Sequence, residues 1–109
     1  MIKVDISRNA QHQPTQFIMT GHADAGEYGE DIVCAAASVL AITTVNALDE
    51  IAGVSPTITS DDENGGFLKV VIHDRNRDAE TILATFILGM TQVAQKYTQF
   101  VTISDGHIN

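Results

Sequence analysis

The stretch Asp31-Ile32-Val33-Cys34-Ala35-Ala36-Ala37-Ser38-Val39-Leu40-Ala41-Ile42, running on to Gly53, decides the fold. Val33, Ala37, Leu40, Thr44, Leu48 and Ile51 recur at helical spacing. Ile32, Ala35, Ala36, Val39, Ala41 and Ile42 widen that stripe, which predicts a first half buried on more than one side. Asp31 is a good N-cap residue, and Gly53 and Pro56 end the helix.

Upstream, Ile2, Val4 and Ile6 alternate with Lys3, Asp5 and Ser7, the pattern of a half-buried strand. Residues 8–15 are polar, contain Pro14 and read as a turn; residues 16–21 read as the hairpin partner. Downstream, 57–60 and 67–73 are strands joined by the turn Asp61-Asp62-Glu63-Asn64-Gly65-Gly66. Residues 74–78 look like a solvated connection. Ala79, Ile82, Leu83, Phe86, Ile87, Met90, Val93, Ala94 and Tyr97 form a second amphipathic helix, and 100–104 a last short strand. The order predicts one α+β domain over 1–109. It is a two-layer sandwich, with two helices on one face of a largely antiparallel five-stranded sheet.

The 109 residues suit one core, and 44% are hydrophobic. The apolar runs 32–42 and 82–90 are too short to span a bilayer, which argues against a membrane role. The first residues alternate in polarity and carry no leader pattern. One cysteine forms no internal disulfide, so a reducing cytoplasmic setting is expected. Net charge is −8, with six Lys and Arg scattered along the chain. Direct nucleic-acid binding is therefore disfavoured, while a basic protein or peptide partner suits an acidic surface.

His22 ends the second strand, and Cys34 sits just inside the long helix. The loop Ala23-Asp24-Ala25-Gly26-Glu27-Tyr28-Gly29-Glu30 joins them. A thiol in a first helical turn lies near unpaired N–H groups and the positive end of the helix dipole, which favour thiolate. His22 then serves as general base, and the helix-start amides hold an oxyanion. Asp24, Glu27, Glu30 and Asp31 oppose thiolate formation, and a lone cysteine is often simply buried. On spacing alone, a structural Cys34 in a non-catalytic binding factor stays open beside the thiol enzyme. Asp31 either caps the helix or orients His22, and Ser38 either bonds within the site or back-bonds to the Cys34 carbonyl. Gly21, Gly26 and Gly29 suggest a loop able to close over substrate. His12, His73 and His107 lack the paired spacing of metal ligands, so neither a metal nor a cofactor is expected.

Thr20-Gly21-His22-Ala23 followed by Gly29-Glu30-Asp31-Ile32-Val33-Cys34-Ala35-Ala36-Ala37-Ser38 resembles the signature of the bacterial ribosomal-processing cysteine protease family. The resemblance runs along nearly the whole chain. It implies a cytoplasmic endopeptidase that removes the N-terminal extension of a ribosomal protein precursor, large-subunit protein number twenty-seven. It implies His22 and Cys34 as the catalytic pair, with Gly21, Asp31 and Ser38 in support. It also implies a homodimer and a substrate-covering loop formed by the eight residues from Ala23 to Glu30. Glu30 stands where the family more usually carries an aromatic or apolar residue.

Overall fold

A computed structural model describes residues 1–22, 29–63 and 65–108, with the side chains of 107 and 108 left out. The elements are β1 (Ile2–Arg8), β2 (Pro14–Thr20), α1 (Glu30–Glu50), β3 (Thr57–Asp61), β4 (Phe67–Val71), α2 (Arg77–Lys96) and β5 (Val101–Ile108). They form the expected α+β architecture. The five strands lie in the order β3-β4-β2-β1-β5, and only the β1–β5 pair is parallel.

Alternation dictates which face is covered. Ile2, Val4 and Ile6 of β1, Phe17 and Met19 of β2, and Leu68 and Val70 of β4 are buried together. Against them α2 sets Leu83, Phe86 and Met90, and the rings of Phe17 and Phe86 lie 4.3 Å apart between centroids. From α1 come Val33, Cys34, Ala37, Ala41, Thr44 and Leu48, one row at helical spacing. Gly89 of α2 lets the helices meet closely: a Cβ there would fall 2.9 Å from a Leu40 methyl group.

Several boundaries depart from the sequence reading. The turn expected over 8–15 is shorter, because β1 runs to Arg8 and β2 starts at Pro14. The connection 74–78 is largely exposed, as expected, but it is also bonded into the fold, and residues 77 and 78 already belong to α2. Asn76 caps α2 by accepting from the Ala79 amide at 2.8 Å, and donates to the Ala52 carbonyl at 2.7 Å. Arg75 reaches the Pro14 carbonyl and Glu80.

The expectation that the first half of α1 is buried on several sides does not hold. One row meets the sheet, leaving Ile32 (65% exposed), Val39 (63%) and Ile42 (57%) outward. The two neighbouring surfaces are already taken by one sheet face and by α2, and among the described residues no third layer covers the helix. By length and composition the 21-residue α1 is apolar enough to cross a bilayer, although the run 32–42 alone is not. Its inner row is packed in the core.

Candidate active site

β2 delivers the chain to Gly21, whose φ is +84°. The Gly21 amide bonds the Gly66 carbonyl at 3.2 Å, and the Met1 carbonyl presses on its α-carbon side. This tight seat needs a residue without a Cβ. His22 follows directly, so its position is set by a wedge between β1 and the turn before β4.

α1 starts differently from the expectation. Its N-cap is Gly29, with φ +94° and no side-chain capping bond, and Asp31 is the second helical residue. The Asp31 carboxylate accepts from the adjacent Ile32 amide at 2.9 Å, so it neutralises part of the helix start without capping it. Glu30 belongs to the helix rather than to the loop, and its Oε1 lies 2.9 Å from the Met1 amino group. Residues 23–28, the rest of the expected loop, lie outside the described residues.

Cys34 is accordingly the fifth residue of α1, in its second turn and not its first. Dipole assistance fades within one turn, so it is weaker here than the sequence implied. The Ile32 and Val33 amides are taken by Asp31 and by the Gly29 carbonyl. That spends part of the helix-start donor set expected to hold an oxyanion.

Two contacts nevertheless join α1 to the strand end. The Cys34 thiol, 4% exposed, donates to the Gly21 carbonyl at 3.8 Å. One turn on, the Ser38 hydroxyl donates to the His22 carbonyl at 3.4 Å rather than back-bonding to Cys34. Gly21, His22, Cys34 and Ser38 are thus brought together. Asp31 stays at the helix start, and no hydrogen bond to His22 is seen.

The His22 Nδ1 is buried and has no hydrogen-bond partner among the described residues. Burial lowers the His22 pKa below its ordinary 6.5, opposed by the charge of Asp62. The favoured resting form is therefore the neutral imidazole, the form that accepts a proton. His22 and Ser38 sit on a cleft of about 620 Å³. Its lining also includes Met19, Val45, Ile58 and Leu68, with Asp62 at the turn after β3. Cys34 does not itself line the cleft; it lies one helical turn before Ser38, which does. An apolar trench with a neutral histidine on its wall and a thiol close by can hold an acyl substrate and bring a nucleophile near it.

The sequence reading missed the β3 side of this cleft. Residues 61–66 carried only a turn signal, and strand pairing alone brings Asp62 to His22's neighbourhood. His12 lies in the β1–β2 turn and His73 bonds Thr57, so neither lines the cleft. The side chain of His107 is outside the described residues. Among the described residues, no group of three or more His, Cys, Asp or Glu side chains is gathered as metal ligands would be.

The family model described as cysteine protease Prp matches residues 1–102. The ribosomal processing cysteine protease Prp of Staphylococcus aureus (strain Mu50) is 38% identical over 104 residues, covering 95% of this chain and 98% of the relative. Two crystal structures of the ribosomal processing protease Prp from S. aureus are similar over 100% of both chains. One, in complex with a substrate peptide, is 35% identical with a TM-score of 0.88. The other, with a covalently linked product peptide, is 36% identical with a TM-score of 0.84.

Proposed function

Since the chain belongs to the cysteine protease Prp family, we propose that it removes the N-terminal extension of a ribosomal protein precursor, large-subunit protein number twenty-seven, using Cys34 and His22. The observation that carries the residue assignment is the contact of the Cys34 thiol with the Gly21 carbonyl, which sets the lone thiol against the residue before His22. The covalently linked product peptide on the S. aureus relative supports a nucleophilic route. A family of cysteine proteases leaves little ground for a non-catalytic assembly factor with a structural Cys34.

In this reading the Cys34 sulfur attacks the scissile carbonyl as its proton passes to His22. The tetrahedral intermediate collapses to a thioester, and His22 returns the proton to the leaving amine. Water, deprotonated by His22, then attacks the thioester and frees the thiol. Gly21 and Ser38 support the pair by fixing the backbone on either side of His22, and Asp31 by its charge at the helix start. The segment 23–28 is the proposed substrate loop. Ribosomal proteins are made in the cytoplasm, so the reaction belongs there.

Thiol alkylation tests the pair directly. The native parent should react with iodoacetamide near neutral pH, and His22→Gln should slow that reaction by about tenfold or more. Equal rates for parent and variant, or labelling of the parent only on unfolding, would sink the assignment.

The exposed Ile32 and Val39 support the second part of the proposal, a homodimer joined through the outer face of α1. Sedimentation should give twice the 11.7 kDa chain mass for the parent and a single chain mass for Val39→Glu. A parent that stays monomeric at high concentration removes the dimer.

A further inference from the structure

The cleft beside His22 runs across strands rather than along one. Met19 of β2, Leu68 of β4 and Ile58 and Ser60 of β3 follow one another along its sheet side, and Asp62 ends it. The register places Thr20, Phe67 and Asp61 in one row over three strands. Two strand spacings put the Asp62 end about 10 Å from the strand end leading into His22. An extended peptide covers that span in about three residues.

Asp62 is the one carboxylate among the described lining residues, and no Lys or Arg joins it there. Its neighbour Asp61 belongs to the other side of the pleat, and its Oδ1 accepts from the Glu63 amide at 2.9 Å. Asp62 therefore offers a negative charge at the far end of an otherwise apolar and neutral trench. It is exposed, so a salt bridge there forms without burying a lone charge. The overall charge of −8 attracts any basic peptide, but only a charge inside the cleft can fix where along the peptide the cation falls.

We propose that Asp62 is a specificity-determining residue that reads a lysine or arginine side chain about three residues from the scissile bond of the peptide substrate. The inference rests on the cleavage reaction proposed above and names one chemical feature of its substrate.

The test is a panel of fluorogenic peptides based on the precursor's N-terminal extension, with Lys, Gln or Glu placed in turn at each position on either side of the bond. The parent, Asp62→Asn and Asp62→Lys are compared. One exposed pair changes affinity by about two- to fivefold, and charge reversal replaces attraction with repulsion. The ratio of kcat/KM for Lys over Glu should therefore swing by at least about tenfold between parent and Asp62→Lys, at one position and chiefly in KM. Asp62→Asn should fall between them, and the parent's preference should shrink as salt rises. A Lys-to-Glu ratio identical in all three proteins at every position overturns the proposal. If the parent cleaves no peptide, or Cys34→Ala cleaves the panel equally well, the underlying reaction has failed instead and takes this inference with it.

Discussion

Cys34→Ala should reduce cleavage of the precursor by about 10⁴-fold or more, because removing the nucleophile leaves only substrate binding and hydrogen bonding to act on the bond. The fold should survive. The substitution removes one buried sulfur from a core lined by Val33, Ala37 and Ala41, a loss of about 1 kcal/mol. Thermal unfolding of the variant therefore separates chemistry from structure. A variant that melts close to the parent and cleaves nothing assigns the chemistry to the thiol; one that still cleaves at the parent's rate would falsify it.

Gly21→Ala should be the most damaging change to the site that touches no reacting atom. At φ +84° an added Cβ costs about 1–2 kcal/mol of backbone strain. It would also overlap the Met1 carbonyl oxygen, and lie 3.0 Å from the Met1 carbonyl carbon and 3.4 Å from the Ile2 α-carbon. Those are backbone atoms of the strand edge and have no rotamer to retreat into. A total of about 2–4 kcal/mol follows, or a Tm lower by roughly 10–20 °C. Activity should drop as well, because the Gly21 carbonyl is the partner of the Cys34 thiol. Gly29→Ala is the matched control. Its φ is +94°, but among the described residues a Cβ there meets nothing within 4 Å, so strain of about 1–2 kcal/mol is the expected effect. If both variants melt together, the Met1 carbonyl is not the constraint.

The sequence made the layers legible because strand alternation and helix spacing are dictated by which face is dry. Ile2, Val4 and Ile6 against Lys3 and Asp5 could hardly be anything but an amphipathic strand. The closeness of Cys34 to the strand end before His22 was legible too, since a short strand-to-helix connection brings its two ends together whatever lies between. What could not be read was the depth of Cys34 in α1. Asp31 has every propensity of a cap, yet a glycine with positive φ turned the chain two residues earlier. Nor could Asp62 be read as part of the cleft, because its neighbourhood with His22 depends on β4 lying between β3 and β2. The outer face of α1 misled for a related reason. Periodicity shows that Ile32 and Val39 are apolar, but not whether the same chain supplies what covers them.

β1 lies between β2 and β5, joined to one by a tight hairpin and to the other across nearly the whole chain, with the Ile2 amide on the Phe100 carbonyl at 2.7 Å. The two edges of that strand are therefore satisfied at very different moments during folding. The hairpin closes early, since few residues separate its arms, whereas the parallel ladder must wait for contacts with a large loop-closure cost. Gly21 is seated against the start of β1, so the corner that carries His22 becomes rigid only when β5 docks. A nascent chain is thus a poor protease until β5 has emerged and docked beside β1.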